Sequence, residues 1–331
     1  MGRIPKIYEA NVVYEVTTRI IQGRFLFKPS DKANDIIAGV YGRAQFLYPS
    51  VKLYGLAVLS NHKEEILSSP DPLAIPAFLG YVNGQLSKRL GTLYDWPGPM
   101  FEGSATPLAI VDQDSIVGRF KYLLAQGVKE NLVERALEWP GVSSVPSLLG
   151  KGELVGVWDN KDLQSRRAKR KKPRPLKAHE EPSTMKYTVR FDRLPGYQQQ
   201  STEEYAIFVS SLIADIEAEA KEARERKGNT CLGRQQIIAM DPHHRPKSIA
   251  KSPAPLCHAS SRDARIRFKE RLASLISWFR ESAEKIKAGV MDVIFPPGAT
   301  PPPFPLKVNE TAGDEEDGKG LLFQGMAAAS T

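Results

Sequence analysis

The sequence is poor in cysteine, in histidine and in long apolar runs, and each shortage narrows what the protein can be. Only two cysteines, Cys231 and Cys257, occur among 331 residues, which excludes a disulfide framework and fits a reducing cytoplasm. No apolar run is long enough to cross a bilayer, so we expect no membrane partner. Residues 1–9 lack the apolar core of a secretory signal peptide.

Charge, by contrast, is plentiful and unevenly distributed. The chain has 46 Lys and Arg against 38 Asp and Glu, a formal net charge of +8, which favours a polyanionic partner such as nucleic acid. A dense basic run with two prolines, QSRRAKRKKPRPLK, occupies residues 164–177 and predicts a linker or solvated arm over 161–183. The acidic, Gly/Ala-rich residues 307–331 are predicted to be disordered.

The first 160 residues alternate strand and helix patterns. Residues 11–27 are rich in β-branched and aromatic side chains and predict a strand with a turn near Gly23. The other predicted elements are a helix over 31–48 capped by Ser30 or Asp31, strands at 51–59 and 62–67, a helix starting at Pro70 or Pro76 and stopping at Gly91, a strand at 108–111, and a helix over 114–125. The order β-α-β-β-α-β-α is that of a split β-α-β arrangement.

Beyond the basic run the pattern becomes mainly helical. Long amphipathic helices are predicted over 202–227 and 261–287, and prolines force residues 294–306 to be extended. The predicted fold is therefore α+β: a ferredoxin-like antiparallel sheet with helices, followed by a mainly helical C-terminal domain. The predicted divisions are 1–160, a linker at 161–183, a helical extension at 184–306, and the tail at 307–331.

Tyr122 does not follow the apolar pattern of its predicted helix. At 100° per residue, Tyr122 and Gln126 lie together, four residues apart, on the side opposite the apolar residues. The apolar side consists of Ile116, Phe120, Leu123 and Leu124. Taken alone, the pattern leaves open an ordinary surface tyrosine.

A second group of polar residues follows the turn at Ser60–Asn61. Alternation along a strand puts His62 and Glu64 on one face and Lys63 on the other. A histidine and a carboxylate two residues apart can both reach one divalent metal, and the amide oxygen of Gln126 could complete the set. A simple pair on a sheet surface is the alternative.

Three segments resemble the HUH single-tyrosine transposases, in particular their REP-associated branch. The segments are YEVTTRIIQGRFLF (14–27), VLSNH (58–62) and KYLLAQGVKENLVERALEWPGVSS (121–144). The similarity covers about residues 8–158, and residues 233–259 resemble a C-terminal extension of larger members. The resemblance implies an HUH nuclease domain, single-stranded or hairpin DNA as partner, and an association into homodimers.

The resemblance also implies roles for individual residues. Tyr122 corresponds to the nucleophile, which forms a covalent 5′-phosphotyrosine, while His62 corresponds to the first metal-binding histidine and Gln126 to the polar ligand. Mg²⁺ or Mn²⁺ would polarise a phosphate. The protein would then work in the cytoplasm, on the nucleoid when it is bound to DNA.

The sequence departs from the family pattern within the metal motif. Glu64 replaces the second histidine, and Lys63 occupies the hydrophobic position between the two ligands. An ammonium under packed helices is costly unless it is paired, and Glu65 is expected to pair with it only by leaving its own face of the strand. Three readings stay open: an active enzyme with altered ligands, a DNA-hairpin-binding protein without cleavage, and a different alignment here. RNA binding on the same scaffold is a more distant alternative.

Other basic residues are candidates for DNA contact through phosphate neutralisation, with simple solvated charge as the alternative. They are Arg19, Arg24, Arg43, Arg166, Arg167, Lys169, Arg170, Lys171, Lys172 and Arg174. A zinc site is conceivable within residues 231–258, although the spacing matches no common zinc motif. Its candidate ligands are Cys231, His243, His244, Cys257 and His258.

Overall fold

The computed structural model describes five stretches of the chain, namely residues 5–103, 105–169, 182–247, 255–290 and 292–301. The strands are β1 (Val13–Arg19), β2 (Lys52–Leu59), β3 (His62–Ser68), β4 (Thr106–Ile110), β5 (Leu154–Asp159) and β6 (Thr184–Val189). The helices are α1 (Asp31–Leu47), α2 (Ala74–Leu93), α3 (Gln113–Leu124), α4 (Val145–Leu148), α5 (Lys161–Ala168), α6 (Thr202–Lys227), α7 (Arg234–Ala239) and α8 (Arg262–Lys287).

The central element is a four-stranded antiparallel sheet with the strand order β2-β3-β1-β4. With α1 between β1 and β2, and α2 between β3 and β4, this is the predicted split β-α-β arrangement, so the α+β fold class is confirmed. The β2–β3 turn lies at Ser60–Asn61, as predicted. In the β1–β3 register, Thr17 lies opposite Glu64 and Arg19 opposite His62.

Capping residues set where the helices begin. Ser30 Oγ accepts from the Ala33 amide at 3.2 Å before α1, and Asp112 Oδ1 accepts from the Ser115 amide at 2.9 Å before α3, as Ser and Asp commonly do at N-caps. Helix α2 begins at Ala74, so Pro76 falls in its first turn, where proline is tolerated. It continues to Leu93, so the predicted stop at Gly91 was wrong.

The sheet separates two apolar cores. Its first face packs against α1 and α2, and its second face packs against α3 and α6. Lys63 and Glu65 both lie on the first face, fully buried, where they form a salt bridge. The expectation that Glu65 would have to leave its face was therefore wrong, because residues two apart on a strand share a face.

A second, two-stranded sheet packs against α1. It is formed by β5 and β6, and its close approach depends on Gly39 and Gly156: a Cβ at Gly39 would lie 2.1 Å from the Val157 carbonyl oxygen. The predicted boundary at residue 160 falls between these paired strands. Within the predicted linker, α5 is helical and residues 170–181 lie outside the described residues, as does the predicted tail over 307–331.

The C-terminal part is mainly helical, as predicted, and contacts both faces of the sheet. Helix α6 buries Val209 and Ile216 beside α3, while α8 buries Phe268 in the core of α1 and α2. The proline-rich end also returns to the sheet region, where Ala299 pairs with Ile7. Among the residues that the structure describes, no helix combines the length and apolarity needed to span a membrane.

Candidate functional site

The ring of Tyr122 lies between two cations. The Arg119 guanidinium carbon is 4.0 Å from the ring centroid, and the Lys129 ammonium is 3.7 Å from it. Arg119 precedes Tyr122 by three residues on α3, so the two share a helix face. As predicted, Tyr122 is not a core residue, and it is half-buried. Cations at these distances are attracted to the face of the aromatic ring.

A cavity of about 470 Å³ opens beside this ring, between α3 and α6. Three lysines line it with Tyr122: Lys121, Lys129 and Lys227. Glu219 of α6 holds the Lys121 ammonium at 2.8 Å. Because this carboxylate also lines the cavity and offsets one lysine, the positive charge that favours an anionic group beside the tyrosine comes from Lys129 and Lys227.

His62, Glu64 and Gln126 lie together on the face of the sheet that α3 covers. Gln126 Nε2 donates to Glu64 Oε2 at 2.8 Å, and the Gln126 amide also tends to raise the pKa of His62. His62 Nδ1 lies 2.7 Å from Asn61 Oδ1. A proton on Nδ1 satisfies that contact and leaves Nε2 as a lone-pair donor, the form in which histidine binds metals.

Burial shifts the protonation of both titratable groups in this cluster. Burial and the nearby Arg19 lower the pKa of His62 to about 4, so the ring is neutral at pH 7. Burial and the neighbouring Glu15 carboxylate raise the pKa of Glu64 to about 7, although Arg119 and Lys129 oppose the shift. A cation bound beside Glu64 would favour its charged form, because a nearby positive charge offsets both burial and the Glu15 carboxylate.

The donor types fit a hard divalent cation. A neutral imidazole, a carboxylate oxygen and an amide oxygen suit Mg²⁺ or Mn²⁺, provided that the Gln126 amide turns its oxygen toward the ion. Among the described residues there is no group of three or more His, Cys, Asp or Glu side chains arranged for a metal. A site at this position therefore depends on Gln126, and these ligands remain a prediction.

Sequence reasoning missed Glu15 and Arg119, and it considered His258 only as a zinc ligand. The buried Glu15 carboxylate accepts hydrogen bonds from Arg119 Nε at 2.9 Å and Arg119 Nη2 at 2.5 Å. His258 Nε2 lies 2.6 Å from Glu15 Oε2, within ion-pair distance, but its N–H does not point at that oxygen and makes no hydrogen bond there. Helical spacing from Tyr122 could have indicated Arg119, but no local pattern connects His258 with residues so distant in sequence.

The single arginines predicted to contact DNA differ in their surroundings. Arg19 is exposed and lies opposite His62. Arg24 donates to the His243 carbonyl at 2.5 Å and stacks over Trp96 at 4.8 Å. Arg43 is on α1, across the sheet from Tyr122, and donates to the Tyr187 hydroxyl at 2.6 Å. Arg19 is thus the arginine of this group nearest the cluster in the strand register.

The structure describes only the first residues of the predicted basic arm. Arg166 and Arg167 lie on α5, and Lys169 follows it. The remaining members lie outside the described residues: Arg170, Lys171, Lys172 and Arg174. The contribution of the arm to DNA binding remains a prediction.

The candidate zinc ligands are held by separate contacts. His258 reaches Glu15, His244 stacks on Phe25 at 5.1 Å, and Cys257 is buried. Since no metal-holding group of three such residues occurs in the described part of the chain, nothing supports zinc there.

Two solved structures are similar to part of this chain. A REP-associated tyrosine transposase bound to a REP hairpin shares 14% identity, with a TM-score of 0.39, over 46% of this chain and 87% of that chain. A candidate transposase from Deinococcus radiodurans shares 16% identity, with a TM-score of 0.27, over 38% of this chain and 96% of that chain. The sequence matches no protein-family model and no curated protein.

Proposed function

We propose that this protein is a DNA strand transferase that cleaves and rejoins single-stranded hairpin DNA through a 5′-phosphotyrosine at Tyr122. The observation that carries the proposal is the Tyr122 ring between Arg119 and Lys129, whose charges also act on the cluster of His62 and Glu64. The resemblance of residues 8–158 to single-tyrosine transposases supplies the hairpin substrate.

The lysine-lined cavity supports binding of a DNA phosphate against the tyrosine. In the proposed step, the Tyr122 phenolic oxygen bonds to the phosphorus, and the bond from phosphorus to the 3′-oxygen of the preceding nucleotide breaks. The phenolic proton is lost to solvent and the 3′-oxygen gains one, so the step requires no nucleotide cofactor. Arg119 and Lys129 stabilise the negative charge shared between phenol and phosphate.

His62, Glu64 and Gln126 are the residues that would hold a divalent metal. When bound, Mg²⁺ or Mn²⁺ would polarise the scissile phosphate and stabilise the leaving oxygen. Without the ion, Gln126 donates to Glu64 and keeps the buried carboxyl hydrogen bonded. Asn61 orients the His62 ring.

A second candidate function is binding of a DNA hairpin without cleavage. The observation that favours it is the same Gln126–Glu64 hydrogen bond, because it pairs two of the three proposed ligands with each other. Glu64 also stands where the related transposases have a second histidine. The basic surface and the fold serve both functions.

Covalent capture of DNA distinguishes the two functions. A hairpin with a single-stranded flank, labelled at its 3′ end, is incubated with Mn²⁺ and analysed by denaturing electrophoresis, since a 5′-phosphotyrosine retains the downstream fragment. The wild type should give a labelled, SDS-resistant adduct. Tyr122→Phe should give none while binding DNA normally, and the control Tyr197→Phe should react like the wild type.

A triple variant separates lost chemistry from a wrong nucleophile. Glu64→His with Lys63→Val and Glu65→Leu restores the family-like strand. An adduct with the triple variant but none with the wild type would establish binding without cleavage. An adduct of equal yield with Tyr122→Phe would show that Tyr122 is not the nucleophile.

A further inference from the structure

We propose that His258, on a C-terminal segment that docks beside β4, is a positioning residue for Tyr122 and acts through Glu15 and Arg119. The inference rests on the proposed function for its catalytic consequence, but the contacts themselves do not depend on it. Residues 255–260 would then belong to the site, although they lie far in sequence from the other site residues.

The segment docks by backbone pairing with the edge strand. The His258 amide donates to the Ala109 carbonyl at 2.8 Å, and the His258 carbonyl accepts from the Val111 amide at 3.0 Å. This is a parallel bridge to Ile110, and it covers an otherwise unpaired sheet edge. The docking therefore fixes the backbone at His258 on both sides.

Anchors on either side of His258 keep the segment in register. Asp112, which caps α3 through Oδ1, accepts from the Ser260 amide through Oδ2 at 2.7 Å. Cys257 is buried in the first core, and α8 follows directly with Phe268 buried in the same core. Because Asp112 contacts both parts, the start of the tyrosine helix and the docked segment are fixed to each other.

From there a chain of contacts leads to the tyrosine. His258 approaches one carboxylate oxygen of Glu15, at 2.6 Å, and Arg119 bonds to the other with two nitrogens. The Arg119 guanidinium then stacks on Tyr122 at 4.0 Å. Each group limits the freedom of the next, since the two nitrogens of Arg119 that share Glu15 Oε1 move with that oxygen.

The need for His258 follows from the burial of Glu15. A buried carboxylate is costly unless several donors satisfy it, and Arg119 reaches only Oε1. Without His258, Oε2 loses its contact, and the carboxylate can rotate and carry Arg119 with it. In-line attack on phosphorus depends on the orientation of the attacking group, so such a movement slows the reaction more than it weakens binding.

The test compares variants that remove or keep, at residue 258, a nitrogen that can contact Glu15. His258→Leu should lower the single-turnover rate of adduct formation by about tenfold to a hundredfold, with the DNA dissociation constant unchanged. His258→Gln keeps an amide N–H and should restore most of the rate. His244→Leu, a histidine that stacks on Phe25, is the matched control and should react like the wild type.

A second measurement follows Arg119 without reference to catalysis. The ¹H–¹⁵N signal of Arg119 Nε, assigned by its loss in Arg119→Lys, should shift and broaden in His258→Leu but not in His258→Gln or His244→Leu. If the wild type forms no adduct, the proposed function fails, and this signal still decides whether His258 positions Arg119. An unchanged signal, or a wild-type adduct rate in a folded His258→Leu variant, overturns the inference. Should His258→Leu not fold, His258→Asn replaces it, because its shorter amide cannot reach Glu15.

Discussion

The ammonium of Lys63 and the carboxylate of Glu65 form a salt bridge within β3, and both side chains are fully buried against α1. The Tyr41 hydroxyl donates to the second oxygen of Glu65 at 2.8 Å, and its ring lies under the Lys63 ammonium. The buried ammonium of Lys63 is thus compensated on its own strand, away from the Tyr122 face.

We expect substitutions of Lys63 and Glu65 to have strongly coupled effects on the free energy of unfolding. Lys63→Met or Glu65→Leu alone leaves a buried, uncompensated charge and should cost about 3–5 kcal/mol in the free energy of unfolding, whereas the double variant should recover most of that loss. Urea denaturation of the four proteins measures the coupling. Additive losses in the double variant would show that the salt bridge does not determine the stability here.

The stability of the metal-free protein should fall as pH rises through neutrality because of Glu64. Its folded pKa of about 7 exceeds the ordinary value of 4.5, so its contribution is complete below about pH 4.5 and is lost as pH rises through 7. Glu15 raises this pKa after burial, while Arg119, Gln126 and Lys129 lower it.

Glu64→Gln isolates this effect. Between pH 5 and pH 8, the wild type should lose on the order of 3 kcal/mol relative to Glu64→Gln, measured as the free energy of unfolding in urea. Mn²⁺ at pH 8 should raise the stability of the wild type more than that of the variant, because binding to the folded state stabilises it. Parallel pH profiles would contradict a raised pKa of Glu64.

Gly39 should be required for the β5–β6 sheet to pack on α1. Gly39→Ala places a Cβ 2.1 Å from the Val157 carbonyl oxygen, so the sheet must move, at a cost of about 1–3 kcal/mol or more. The control is Gly80→Ala on α2, where a Cβ would meet nothing within 4 Å. This variant should raise the free energy of unfolding by up to about 1 kcal/mol. Equal effects of the two variants in urea denaturation would refute the close approach.

The basic arm should add affinity for DNA without adding sequence preference. Deleting residues 165–177 removes charges that neutralise phosphates, so binding to all hairpins should weaken about equally and its salt dependence should flatten. Fluorescence anisotropy at several salt concentrations measures both quantities. A chain ending at residue 306 is the control. A changed hairpin preference with an unchanged salt slope would make the arm a sequence reader.

Limited proteolysis tests the predicted division of the chain. We expect the first cleavage between Gln164 and Ser183, in the predicted linker. Because β5 and β6 pair across it, the two fragments should remain associated on gel filtration and separate only in denaturant. Early cleavage within residues 31–125 would argue against residues 1–160 as a folding unit.

The order of elements was predictable because its signals are local. β-Branched and aromatic residues indicated β1, and Ser30 and Asp112 cap the helices that follow them. Residue spacing also placed Tyr122 away from the core and set His62 and Glu64 on one face. The end of α2 was missed because the buried Gly91 packs within the helix instead of ending it.

Local patterns were enough to set this order of elements and the face on which each candidate residue lies, since periodicity is a property of neighbouring residues. Which distant residues meet on that face depends on how the elements pack together. Arg119 of α3 meets Glu15 of β1, and His258 joins them because its backbone pairs with β4. Such contacts leave no mark in the local pattern. The surroundings of the buried Lys63 likewise depend on packing, which places Glu65 and Tyr41 beside its ammonium.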